Sequence, residues 1–331
     1  MTAGRSAIHD FLPIAVVAAV LALLPVGLTL AGSAGTLLNL SITILILSLA
    51  AQGWNIAGGY GGQFSFGHAA FFGMGAYGQA VLQARLGLNP WAALPLAVAF
   101  GSAVGLGIGY LAFRARLRGS YFALVTLAFA EVFRILANAA PFTGGAAGTL
   151  LPLDVRPANF QFQARETFFY LALVMVVAVL VLNRLIERSR FGAYLVAVRE
   201  NEDAARSLGV DTLVVKLKAI ALSAAITAAS GALYTQKFLY IDANIAFGSW
   251  ISVEALLAPI IGGIGTVFGP LVGTATLLGL GELAKTGIHA AFGSAIPGID
   301  LILYGVLLIA AIAFAPQGVM GLVARFTRGG R

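Results

Sequence analysis

Between Asp10 and Arg85 lie 74 consecutive residues without a single Asp, Glu, Lys or Arg. A helix needs about 20 apolar residues to cross a bilayer, so this run alone holds about three crossings. Over its 331 residues the chain is 60% hydrophobic and only 10% charged, which excludes an ordinary water-soluble fold. The 41 glycines and 22 phenylalanines agree, because glycine lets membrane helices approach closely. The sequence reads as an all-α polytopic membrane protein, a single transmembrane domain over residues 1–331.

Ten spans are expected, at residues 11–31, 37–57, 64–82, 91–113, 121–138, 167–183, 219–240, 252–264, 267–283 and 299–315. Those at 64–82 and 252–264 are short or broken by glycine, and eight crossings remain if both are re-entrant. The formal charge of +7 invites a nucleic-acid reading, which the placement of the cations rejects. Arg114, Arg116 and Arg118 form one cluster, residues 184–218 hold seven cations, and Arg325, Arg328 and Arg331 form a third. Ten spans with both termini inside put all three clusters in the cytoplasm, as the positive-inside rule asks. Residues 139–166 and 241–251 are then exterior loops, with Trp250 at the interface. At the N-terminus, Arg5, an apolar run and Ala31-Gly32-Ser33-Ala34 resemble a secretory signal. The run is longer than a signal core, so a retained first span is expected. With no cysteine there is neither a disulfide framework nor a thiolate metal site.

Two stretches are dense in glycine. Residues 53–78 contain nine, in Gly58-Gly59-Tyr60-Gly61-Gly62-Gln63-Phe64-Ser65-Phe66-Gly67-His68 and beyond, and residues 262–281 contain seven, starting at Gly262-Gly263-Ile264-Gly265. Each has Gly-Gly followed by Phe-Gly, about 200 residues apart. Paired glycine-broken segments point to an internal repeat with a pathway between its halves. The competing reading is that these glycines only permit tight helix packing. Polar residues at membrane depth add Asn55, Gln63, Ser65 and His68, with Glu254 and Glu282 bounding the second stretch. Glu131 and Arg134 lie at i and i+3 in one span, so they read first as a structural pair and second as a pathway element. Residues 279–286 mimic a phosphate-binding loop, but Ala284 stands where that loop needs glycine. Asn39-Leu40-Ser41 matches a glycosylation acceptor but enters an expected span. His9, His68 and His289 are too far apart for a His-Glu-x-x-His site.

The longest mixed-charge run is residues 184–218, with seven cations against five acids. Within it Asn201 can cap a short helix, Glu202 and Asp203 sit at its positive end, Arg206 near its negative end, and Gly209 can end it. Two turns are not stable alone in water, so this helix needs a surface to lie against. It is either a solvated connector or a docking element for a cytoplasmic partner.

Residues 58–73, Gly-Gly-Tyr-Gly-Gly-Gln-Phe-Ser-Phe-Gly-His-Ala-Ala-Phe-Phe-Gly, closely resemble a signature of the permease subunits of branched-chain amino-acid ABC importers, the LivM family. Residues 121–127, 143–145, 197–202, 262–265 and 316–321 match in the same order. The resemblance implies an inner-membrane transport component, not an enzyme, with ATP and Mg bound by two separate ATP-binding subunits and no cofactor on this chain. It also implies a second, related permease subunit and a periplasmic solute-binding protein as partners. Asp203-Ala204-Ala205-x-x-x-Gly209 looks like the general loop by which such permeases dock on their ATPases, with Asp in place of Glu and the usual Ile-x-Leu-Pro absent. The expected coupling residues are Arg199, Glu200, Asn201, Glu202, Asp203, Ala204, Ala205, Leu208 and Gly209. In that contact Ala204, Ala205 and Leu208 should be buried, with Glu202 and Arg206 at the rim. The expected pathway residues are Gly61, Gly62, Gln63, Ser65, Gly67, His68, Glu131, Gly262 and Gly263. The alternative is an ion-coupled secondary transporter, for which the self-neutralising Glu131–Arg134 pair is a poor ion site. No nucleophile–base set supports an intramembrane enzyme.

Overall fold

A computed structural model describes residues 7–30, 34–292 and, further on, 298, 299, 302, 305, 306, 309 and 318–321. The expected span at 299–315 lies mostly outside the described residues, as do Arg5, the C-terminal arginines and the side chains of His9 and His289. The helices are α1 (Ala7–Leu30), α2 (Ala34–Trp54, continued by a π-helical turn Asn55–Tyr60), α3 (His68–Ala84), α4 (Pro90–Arg114), α5 (Gly119–Ala139) and α6 (Arg165–Arg188). They continue as α7 (Arg190–Glu200), α8 (Glu202–Ser207), α9 (Thr212–Phe238), α10 (Ala243–Ala246), α11 (Ser249–Gly262) and α12 (Gly269–Phe292). The chain is thus an almost wholly helical polytopic membrane protein. Among the described residues, seven helical segments are long and apolar enough to cross a membrane: α1, α2 with its π turn, α4, α5, α6, α9, and α10 joined to α11.

The first nine expected segments each fall on a helix, but several ends move. The helix expected from residue 64 begins at His68, because 61–67 is an irregular turn. The charged loop expected over 184–218 shrinks to the stretch between Arg188 and Thr212, since α6 and α9 both run into it. Arg and Lys near a helix end can keep their charged heads out of lipid along their flexible stems, so Arg184, Lys216 and Lys218 do not break the helices. Asp211 fixes the start of α9 by accepting a hydrogen bond from the Val214 N–H. One feature outside the all-α expectation is an antiparallel pair of two-residue strands, β1 (Thr149–Leu150) with β2 (Tyr240–Ile241).

Helix α9 is the hub, packed on α2, α3 and α4. Its buried face is made of small residues, among them Ala224, Ala228, Ser230 and Gly231. Helix α4 meets it with glycines at 101, 105 and 109, where an added Cβ would overlap Ala228, Ala224 and Ile220 in turn. Without a hydrophobic drive between helices in lipid, such close backbone approach supplies the attraction.

Hydrogen bonds define the two ends of the molecule. At one end α1 starts, α2 and α6 finish, α4 turns into α5, and α9 starts. There Asp10 pairs with Arg184 and Arg188, Tyr60 Oη donates to Glu187, and Arg118 reaches Glu202 and Asp203. At the opposite end Arg85 donates to the Phe142 carbonyl, Asn89 to Ala158, Lys237 to Asn39, and β1 pairs with β2. The charged end carries the candidate site.

Candidate functional site

The segment from α7 to the start of α9 folds as a string of capped helices. Ser189 Oγ accepts from the Gly192 N–H, Asn201 Oδ1 from Asp203 and Ala204, and Gly209 ends α8 with φ +85°. The caps read from the sequence are therefore in place. Helix α8 finds its surface within the chain. Glu202, only 11% exposed, is gripped by Lys216 at 2.8 Å, Arg206 at 3.0 Å and Arg118 at 3.2 Å, and Thr212 donates to it. Burial raises its affinity for a proton, but Lys216, Arg118 and Thr212 outweigh that and hold its carboxyl below the usual range. Asp203 is held down as well, first by the Arg118 guanidinium. Helix α8 is thus clamped to the α4–α5 turn and to α9.

This clamp corrects the expected orientation of α8. Ala205 is 3% exposed and packs in the chain's own apolar core with Leu195 and Val198. Glu202 faces inward as the anchor and is not a rim residue. Ala204 is exposed and Leu208 is 86% exposed. At i and i+4 they share one side of α8, with Asp203 exposed beside them; Tyr194 and Val196 of α7 are exposed as well, on different sides of that helix.

Arg199 connects this unit to the glycine stretches. Its guanidinium pairs with Glu200 and donates to the Gly59 carbonyl at 3.0 Å, and its stem lies over Gly62. Gly62 has φ +67°, a conformation that a side chain disfavours. The two glycine stretches, 200 residues apart in sequence, meet at this point. Asn55 donates from Nδ2 to the Thr266 carbonyl at 3.0 Å and accepts at Oδ1 from the Gly265 N–H at 2.8 Å. Gly318, from the C-terminal motif, packs on Gly262 and Gly263 of the same turn. Asn55 is buried, and as a polar residue at membrane depth it was already marked in the sequence, though not among the expected pathway residues.

The remaining expected pathway residues divide into two groups. Ser65, Gly67 and His68 are buried: His68 has its ring nitrogens 3.2 Å from Ser65 Oγ and 2.8 Å from Ser223 Oγ, and the Trp54 indole donates to the Ser65 carbonyl. Gly67 abuts the α5 backbone at Thr126, where a Cβ would overlap the carbonyl. Gly61 is buried and Gln63 half-buried. The flanking Phe64 and Phe66 point outward. Gly262 and Gly263 belong to the second turn, and Glu131 lies apart from both turns, on α5.

Residues 36–312 match the family model described as branched-chain amino acid transport system / permease component. The chain is 30% identical over 313 residues to the high-affinity branched-chain amino acid transport system permease protein LivM of Escherichia coli K12, covering 87% of this chain and 70% of that protein. The corresponding LivM protein of Salmonella typhimurium is 29% identical over 307 residues, covering 85% and 69%. The permease protein LivH of the same system name in Escherichia coli K12 is 26% identical over 290 residues, covering 83% and 91%.

Proposed function

Because the chain belongs to the family of branched-chain amino acid transport permease components, we propose that it is the membrane-spanning subunit of an ATP-driven importer for branched-chain amino acids or a similar small polar solute. Its charged end faces the cytoplasm, as the clustering of Arg118, Arg184, Arg188, Arg199 and Arg206 there favours. ATP and Mg belong to two separate ATP-binding subunits. A periplasmic binding protein delivers the solute at the opposite end. One organism's LivM and LivH both resemble this chain, which supports a related second permease as companion.

The observation that carries the mechanism is the Arg199 contact with Gly59 and Gly62. The exposed side of α8 receives the ATPases, and because Ala205 packs in one apolar cluster with Leu195 and Val198 of α7 the two helices move as one body. Arg199 passes that movement to the first glycine turn, and Asn55 passes it to the second. Alternating access needs two states of different solute affinity, and both turns lie where such states can be switched. The docking face is tested by Leu208→Asp, which leaves the internal clamp untouched. The purified permease should insert normally but lose its ATPase subunits on affinity isolation. Full retention of the ATPases, with stimulated hydrolysis intact, would remove α8 from the contact.

A further inference from the structure

We infer that a cavity between α5 and α11 binds the zwitterionic head of an amino-acid solute, with Glu131 taking the ammonium and Arg134 the carboxylate; this rests on the permease reading above. The cavity holds about 190 Å³ and is lined by Leu127, Ala130, Glu131, Arg134, Asn244, Phe247, Ser249 and Ser252, with Gly248. That is below the roughly 300–1,000 Å³ of pockets for drug-sized ligands and suits a smaller solute.

The charges are the reason to look here. Glu131 and Arg134 lie about 12 Å and about 8 Å before the outer end of α5, at 1.5 Å per residue, within the outer half of that span. Its side chain is 51% exposed and that of Arg134 is 32% exposed. An ionised pair at this depth is not stable against lipid, so the face that carries it borders water, another subunit or a solute. Glu131 and Arg134 neutralise each other through Nε–Oε2 at 2.9 Å and Nη2–Oε1 at 2.6 Å, and Arg134 Nη1 donates to Asn244 Oδ1 at 2.8 Å. A paired Arg and Glu with open flanks bind a zwitterion without net charge transfer into the membrane. The solute carboxylate lies beside the N–H groups that Arg134 Nη1 and Nη2 have left after pairing and beside the start of α11, where no side chain caps the helix. Leu127, Ala130 and Phe247 form the apolar wall for its side chain.

The two walls of this cavity are tied to the coupling machinery. Gly67 packs on Thr126 of α5, and the Ala69 N–H donates to Ser252 Oγ of α11 at 2.9 Å. Movement of the first glycine turn therefore shifts α5 against α11 and changes the width of the cavity, which supplies the difference in solute affinity between states.

The test uses the complete importer with its ATPases, companion permease and binding protein in proteoliposomes, with leucine as the probe. Glu131→Gln keeps the size and one of the two hydrogen bonds from Arg134, and removes the charge. Leucine uptake should fall at least tenfold, while the half-saturating concentration of binding protein stays the same and stimulated ATP hydrolysis stays within twofold. A second variant, Glu131→Arg with Arg134→Glu, keeps the ion pair but reverses its polarity, and should behave likewise. Uptake and hydrolysis falling together in both variants would make the pair a mere structural brace and overturn the site. Unchanged uptake would overturn it too. Absence of leucine, isoleucine or valine uptake by the unsubstituted importer would instead bring down the permease substrate reading, and this site with it.

Discussion

The two glycine turns have the same outline but are held by different chemistry. The first, 61–67, is fixed by side chains: Trp54 donates to the Ser65 carbonyl, Ser65 Oγ accepts from Gly67, His68 bridges to Ser223, and Arg199 lies over Gly62. The second, between α11 and α12, is fixed by backbone approach. Gly262 packs on Gly269 and Gly273 on Ala258, while Thr266 bridges the Gly263 carbonyl and the Gly269 N–H and Asn55 reaches in from α2 to Gly265 and Thr266. Side-chain fastenings can be exchanged as a neighbour moves, whereas backbone contacts without side chains between them tolerate little shear. The first turn is also the one touched by the α7–α8 unit. This difference assigns the first turn to receiving the stroke and the second to being carried by it through Asn55.

A large effect is expected at Gly67. An alanine there would drive its Cβ into the Thr126 carbonyl, which is helix backbone and cannot turn aside. Overpacking of this kind costs about 1–3 kcal/mol, and uptake should be lost along with stability. In the second turn, Gly265→Ala meets the Gly59 carbonyl at 3.4 Å and Arg199 Nη1 at 3.6 Å, and its penalty comes mainly from φ +69°, about 1–2 kcal/mol for a left-handed residue. Thermal unfolding of the two variants in detergent should therefore show the larger drop for Gly67→Ala. Equal drops would mean that the Gly67 contact with Thr126 is no closer than the surroundings of Gly265.

How much of this was written in the sequence varies with the range of the interaction. The apolar runs located nine helices, and seven segments among the described residues are long and apolar enough to cross a membrane, because a span is a local property of about 20 residues. The caps at Asn201 and Gly209 were legible for the same reason: a cap satisfies amides within its own turn. The rotation of α8 was not. Ala204 and Ala205 are interchangeable in a short motif, and only Lys216 and Arg118, which pull Glu202 inward, decide which of them is buried. The Arg114–Arg118 cluster signalled topology, and its second role as a clamp needed the fold. Gly62 and Gly67 also look alike in sequence, yet one serves a turn with positive φ and the other a helix crossing. The pairing of the two glycine stretches had a faint sequence trace in their shared Gly-Gly and Phe-Gly spacing, and Asn55 stood out as a polar residue at membrane depth, but its partners 210 residues away had none.

Asn55→Leu sharpens the distinction between receiving and following. The change is close to isosteric and leaves both helices intact, but strands the Gly265 N–H and the Thr266 carbonyl. Each buried group left unpaired costs about 1–3 kcal/mol, so the second turn should loosen while the first keeps its Arg199 contact. The expected phenotype is uncoupling: ATP hydrolysis stimulated by the binding protein persists and solute uptake drops. Hydrogen exchange should rise around 263–268 and not around 61–67. Parallel increases at both turns would show that they form one unit and not a driver and a follower.

The smallest expected effect lies at Gly279, within the second glycine-dense stretch but beyond its turn. It sits inside α12, and no described atom lies within 4 Å of where its Cβ would be. If density of glycine alone marked the moving parts, Gly279→Ala would impair uptake as its neighbours do. If the turn residues carry that role, alanine here only improves the helix, because glycine costs a helix interior about 0.5–1 kcal/mol relative to alanine. We expect uptake equal to that of the unsubstituted protein and a thermal midpoint that is unchanged or slightly higher. A loss of uptake would place a partner subunit against this face of α12, and the second stretch would then owe its glycines to packing between chains instead of to its turn.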